Sequence, residues 1–175
     1  AAINLRPGIT SFAPLIERIA EELSLSRSVI SLTTALPVLL MGLLAPLAPR
    51  LAVRFGLERT ISLCLGLIGL ALLLRLFGKN APVLIGTAAM VGAGIAVAGP
   101  LLSGFIKRYF LEQMGKTAAY YSLSMAVGGT IGVVLTAPAA EWLGQRWTWG
   151  LALWAIPAVL ALLIWWRLPN QPEPA

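Results

Sequence analysis

No charged side chain occurs between Lys79 and Lys107, and none between Lys116 and Glu141. At about 1.5 Å of helical rise per residue, either stretch outruns the roughly 30 Å hydrocarbon layer of a bilayer. Charges gather instead in short intervals between apolar blocks. The pattern predicts an all-α membrane protein that crosses a bilayer several times. Composition agrees: 58% of the 175 residues are hydrophobic and 11% charged, against about a quarter charged in soluble domains. A net charge of +6 would point to nucleic acid in a soluble chain. Here the basic residues flank apolar blocks and lack the aromatic interleaving of RNA-binding surfaces, so they read as topology signals and no nucleic-acid partner is expected. His and Asp are absent and Cys64 is the single cysteine. An intrachain disulfide and a His/Cys metal cluster are thereby excluded. With no nucleophile–base pair and no phosphate-binding loop, neither an enzyme nor a cofactor is expected.

Six segments follow in order. The first covers Ile3–Ile19 and ends at the charged cluster Glu17, Arg18, Glu21 and Glu22. It is short for a full span, which predicts a helix truncated at its start. Ser26 is placed to cap the second segment, Val29–Ala48, where Pro37 removes a helical donor. A basic loop, Pro49–Arg59, leads to a leucine-rich third segment, Thr60–Phe77, expected to face lipid over much of its circumference. After the turn Gly78-Lys79-Asn80 comes a glycine- and alanine-rich fourth segment, Ala81–Phe105, in which Gly99-Pro100 is expected to loosen the helix. Small residues of this kind let helices approach closely where lipid offers no hydrophobic force between them. An amphipathic connector, Ile106–Lys116, precedes the fifth segment, Thr117–Ala140, with Gly128 and Gly132 at GxxxG spacing. The sixth, Trp147–Trp166, carries tryptophans at both ends, as interfacial belts require. The domain plan is a bundle over 1–167 and a polar, proline-rich linker or tail over 168–175.

This alternation puts Arg50, Arg54, Arg59, Lys107, Arg108, Lys116 and Arg167 on one side of the membrane. Arg18, Arg27, Arg75, Lys79 and Arg146 fall on the other, offset by Glu17, Glu21, Glu22 and Glu141. The positive-inside rule then predicts a cell-membrane protein with both termini in the cytoplasm. Arg6 belongs to neither set. It precedes the Glu17–Glu22 cluster by about 10–13 residues, roughly 15–20 Å along a helix. At that depth an arginine facing lipid costs about 2.5–3.5 kcal/mol or more, so Arg6 is expected to face a polar interior. Asn4, Thr10 and Ser11 add polar atoms to the same segment but cannot share one helical face: Thr10 stands four residues from Arg6, Ser11 seven from Asn4.

The basic loop partly matches the Gly-x-x-x-Asp-Arg-x-Gly-x-x-Arg signature of the major facilitator superfamily. Arg54, Gly56 and Arg59 occupy its Arg, Gly and Arg positions, while Pro49 and Val53 replace its leading Gly and its Asp. Asn4-Leu5-Arg6-Pro7 with Thr10-Ser11, the run Leu32–Val38, the run Ala45–Leu51 and the run Arg54–Arg59 resemble the cyanate/2-nitroimidazole transporter (CynX/NimT) family within that superfamily. The resemblance implies the N-terminal six-helix half of a twelve-helix secondary transporter. Its partners would be the lipid bilayer, a small and often anionic solute, and a missing C-terminal half. It also implies a central cavity lined by segments 1, 2, 4 and 5. The expected solute-binding residues are then Arg6, Asn4, Thr10, Ser11, Tyr121 and Ser124, and the expected gating loop holds Arg50, Arg54, Gly56 and Arg59. A six-helix membrane scaffold without transport activity is the competing expectation.

Overall fold

A computed structural model describes residues 2–78, 80–144 and 146–167. Lys79 and the stretch expected to be a tail lie outside the described residues. Every regular element among them is helical: α1 (Pro7–Thr10), α2 (Ile16–Glu22), α3 (Arg27–Leu44), α4 (Ala48–Phe55), α5 (Leu57–Leu74), α6 (Ala81–Tyr109), α7 (Met114–Trp142), α8 (Trp147–Ala152) and α9 (Ala155–Trp166), joined by short 3-10 turns. Among the described residues, five stretches are long and apolar enough to cross a membrane: Arg27–Phe55, Leu57–Phe77, Ala81–Tyr109, Leu111–Trp142 and Trp147–Trp166.

The first segment is not one helix. It runs as a 3-10 turn (Ala2–Asn4), α1, a second 3-10 turn (Ala13–Leu15) and α2. Proline explains the interruption. Pro7 and Pro14 have no N–H, so the carbonyls four residues before them lose their helical partners. Between the prolines the bonds switch register: Ser11 N–H donates to Pro7 O, whereas Phe12 N–H donates to Ile9 O. Pro157 acts similarly on the last segment, which is divided into α8 and α9. Pro100 does not loosen α6, which stays helical to Tyr109 with Pro100 exposed.

The expected basic loop is also mostly helix. The second span continues through a 3-10 turn (Ala45–Leu47) and α4 as far as Phe55, and α5 starts at Leu57. Only Gly56 separates them, at φ 87° and ψ 151°, a backbone region essentially reserved for glycine. At the other end of α3, Ser26 caps the helix as expected, its hydroxyl accepting from Val29 N–H.

α5 is more central than its leucine-rich sequence suggests. It packs between α6 and α9, and Ile61, Leu65, Ile68 and Leu72 on its inner face are fully buried. Leu63, Leu70, Leu73 and Leu74 remain exposed on the outer face. Close approach makes this packing possible. A Cβ on Gly92 of α6 would sit 2.5 Å from Cα of Pro37 in α3, and one on Gly94 would sit 3.1 Å from the Cys64 carbonyl of α5. Both neighbours are backbone and cannot swing aside, so α6 holds α3 and α5 at distances that only glycine permits.

Candidate solute site on the first segment and α7

The GxxxG face of α7 receives the first segment. Gly128 lies directly against the Ile3 carbonyl, and Gly132 against Pro7 and Thr10. Gly129, between them, faces Arg6: a Cβ there would stand 3.6 Å from the Arg6 Cβ. α7 runs from Met114 to Trp142, so its centre is Gly128, and Arg6 meets it within one residue of that centre. The contact lies roughly 20 Å from either end of the helix.

Arg6 is exposed and caps α1 at its N-terminus. Its carbonyl accepts from Thr10 N–H at 2.9 Å, and the Thr10 hydroxyl bridges Arg6 O at 3.1 Å and Gly129 O at 3.2 Å. Tyr121, half-buried on α7, lies beside Ser103 of α6 and within electrostatic reach of Arg6. Ser124, one turn further along α7, is also half-buried. Asn4 and Ser11 point the other way. Asn4 is buried and donates through Nδ2 to the Pro157 carbonyl at 2.9 Å. Ser11 is completely buried, and its hydroxyl has no partner among the described residues. The fold thus separates Arg6 and Thr10 from Asn4 and Ser11, the same two pairs that helical spacing separates.

No carboxylate pairs with Arg6 among the described residues. The described glutamates all sit towards element ends: Glu17, Glu21 and Glu22 in α2, Glu58 in the first turn of α5, Glu112 in a 3-10 turn and Glu141 in the last turn of α7. A guanidinium with five donors therefore stands free beside the middle of the bundle.

At the Gly56 end, Arg50, Arg54 and Arg59 are exposed, and the Arg54 guanidinium lies 5.3 Å from the centroid of the Phe55 ring. Beside them is a cluster that sequence reasoning missed. Glu58 accepts from the Tyr109 hydroxyl at 2.9 Å through Oε1 and from Trp165 Nε1 at 3.0 Å through its carbonyl. Phe105 fills the space between, 4.6 Å from Tyr109 and 5.3 Å from Trp165 by ring centroids. One residue two positions after Gly56 thereby ties the ends of α5, α6 and α9 together. Arg75 was missed as well. Expected at a membrane surface, it is only 3% exposed and donates through Nη1 to the Gly8 carbonyl at 3.1 Å.

The profile of the Major Facilitator Superfamily matches residues 5–175. The chain belongs to that superfamily. It is 39% identical over 164 residues to the uncharacterized transporter YycB of Bacillus subtilis, covering 94% of this chain and 40% of that protein. It is 34% identical over 166 residues to the cyanate transport protein CynX of Escherichia coli, covering 93% of this chain and 42% of the relative. The 2-nitroimidazole transporter of Escherichia coli is 35% identical over 169 residues, 95% of this chain and 42% of the relative. The chain therefore spans about two fifths of the length of the curated relatives it matches. The superfamily chain is an integral membrane protein, and its likeness is to proteins named as transporters, which leaves the scaffold expectation without support.

Proposed function

We propose that this chain is the N-terminal half of a secondary transporter that moves a small anionic solute by alternating access, with Arg6 as the anion contact of this half. The observation that carries the reading is the exposed Arg6 side chain lying on Gly129 beside the centre of α7, with no carboxylate paired to it among the described residues. Leaving such a charge against lipid is costly, whereas a solute carboxylate or cyanate matches its planar fork and gains strength in a low dielectric. Tyr121, within electrostatic reach of Arg6, and Ser124, one turn further along the same helix, act on this reading as neutral hydrogen-bonding groups. Thr10 sets the backbone on which Arg6 stands, and Asn4 serves from behind, fixing the segment to the bundle through the Pro157 carbonyl, with Ser11 buried on the same side. The names of two relatives, a cyanate and a 2-nitroimidazole transporter, support a solute of that size.

On this reading the first segment is the sixth membrane element, the rest of the protein supplies a second six-helix half, and the halves rock about the space that Arg6 faces. The strongly basic Gly56 end faces the cytoplasm together with both termini, and Arg50, Arg54, Gly56 and Arg59 bias the inward against the outward state. Cyanate and 2-nitroimidazole are the probes for the site. Their affinities are measured on the purified whole protein, its Arg6→Lys variant and its Arg6→Ala variant, alongside unfolding temperature. Lys keeps the charge and loses the two-donor fork, so binding of cyanate weakens about tenfold; Ala weakens it further, and both fold. A well-folded Arg6→Ala protein with unchanged affinity for both probes would remove the assignment.

A further inference from the structure

Arg75 is the deepest cation in the described structure. It caps the C-terminus of α5, it is 3% exposed, its Nε is buried without a hydrogen-bond partner, and no carboxylate pairs with it among the described residues. Its resolved polar contact is the Gly8 carbonyl at 3.1 Å. That carbonyl belongs to the interrupted stretch of the first segment. In a regular helix it would accept from Phe12 N–H, but Phe12 N–H is diverted to Ile9 O at 3.3 Å. A buried carbonyl without a donor is costly, and Arg75 supplies the missing donor from another helix.

The contact also has a direction. Gly8 stands two residues from Arg6 and is wedged against Val91 of α6 and Ile68 of α5: a Cβ there would meet the Val91 side chain at 2.9 Å. The face of the segment that carries Gly8 is thus held to α5 and α6 by Arg75, while the face that carries Arg6 lies on α7 at Gly129. We propose that Arg75 is a positioning residue for Arg6: by bonding the Gly8 carbonyl it fixes the height and rotation at which the broken first segment presents Arg6 beside the centre of α7. The functional part of this inference rests on the anion-contact reading of Arg6; the geometric part does not.

The close pairing of positions 6 and 129 provides a test that needs no solute. A Cβ at 129 would stand 3.6 Å from the Cβ at 6, inside the range that a disulfide bridges. In the whole protein with every native cysteine replaced, Arg6→Cys with Gly129→Cys should cross-link readily under a mild oxidant. Adding Arg75→Met removes the donor and should slow cross-linking at least tenfold. Arg75→Lys and Arg75→Gln keep a shorter donor and should fall between, about threefold slower than the parent. If Arg75→Met fails to accumulate as a folded protein, the Lys and Gln variants decide alone. An unchanged cross-linking rate in the folded variants overturns the proposal. In a second arm with Arg6 and Gly129 intact, Arg75→Gln should weaken cyanate binding at least fivefold. Slower cross-linking with unchanged cyanate affinity would keep the geometric role and refute the functional one. Loss of cyanate affinity in Arg75→Gln without any change in cross-linking would refute positioning as its cause.

Discussion

The contact between α7 and the first segment predicts an ordered response to adding single methyl groups along one face of one helix. At Gly132 a Cβ would meet Thr10 Oγ1 at 2.6 Å and Pro7 Cα at 3.1 Å. Ordinary carbon contacts lie at about 3.5–4.0 Å, so Pro7 must retreat by roughly half an ångström and the Thr10 hydroxyl must leave its place. Such overpacking costs about 1–3 kcal/mol. The hydroxyl, which bridges Arg6 O and Gly129 O, forfeits about 1 kcal/mol more. Alanine returns about 1 kcal/mol of helix propensity. Gly132→Ala is therefore expected to destabilise by about 1–3 kcal/mol. At Gly129 the added Cβ stands 3.6 Å from the Arg6 Cβ, an ordinary contact, so Gly129→Ala should be neutral or up to about 1 kcal/mol stabilising from propensity alone. The two variants should differ by about 1–4 kcal/mol, roughly 5- to 900-fold in the unfolding equilibrium. Reversible unfolding of the whole protein in mixed detergent micelles measures the difference. Affinity for cyanate should fall in Gly132→Ala, because the displaced Pro7 adjoins Arg6, and stay within twofold in Gly129→Ala. Equal stabilities for the two variants would show that α7 and the first segment do not meet in this register.

Gly56→Val forces a β-branched side chain into a backbone region that glycine alone occupies comfortably; transport by the whole protein should drop at least fivefold with expression near normal, and a normal rate would end the gating assignment. If the Gly56 end is cytoplasmic, a cysteine at position 57 in a Cys64→Ala background should resist an impermeant thiol reagent in intact cells, while ready labelling would invert the topology. Coupling offers a third expectation. With no Asp or His in the chain and the described glutamates towards element ends, the described residues hold no carboxylate or imidazole placed to relay protons near Arg6; uptake into proteoliposomes that depends strictly on a pH gradient, and is abolished only by changes within residues 1–175, would contradict that.

The membrane class was legible because lipid leaves a chain so few choices. Long uncharged runs, tryptophan-flanked ends and glycine spacing each follow from what a bilayer forbids, and the helices α3, α5, α6 and α7 fall within a few residues of their expected places. The breaks were harder to place. Pro7, Pro14, Pro37, Pro100 and Pro157 all remove a donor, yet α3 and α6 carry their prolines through, while the first and last segments divide. The outcome depends on what supports the backbone around each proline. α3 is packed on α6 where Pro37 meets Gly92, whereas the first segment has two prolines seven residues apart and too few turns between them to rebuild a helix. The continuation of the second span through Pro49 to Phe55 has the same kind of cause. Pro49 falls in the first turn of α4, where a missing N–H costs nothing, so a basic stretch that looks like a loop extends the helix instead.

The site was half legible for a reason that Arg6 and Arg75 make concrete. Both are arginines set among apolar residues, and a hydropathy profile treats them alike. Depth separates Arg6 from the surface charges, because its distance to the Glu17–Glu22 cluster can be counted along the chain. Arg75 stands three residues before Gly78, so counting assigns it to a membrane surface. What reassigns it is the Gly8 carbonyl, 67 residues away, left without its helical donor where Phe12 N–H turns to Ile9 O in a different segment. Glu58 is the mirror case. It reads as one more charge in a basic loop, until α6 and α9 bring Tyr109 and Trp165 onto it from 51 and 107 residues away. A charge without a partner among the described residues, such as Arg6, can be singled out from its position in the chain. A charge whose partner is a stranded backbone group or a distant aromatic cannot, because the need it meets is created only when the helices pack.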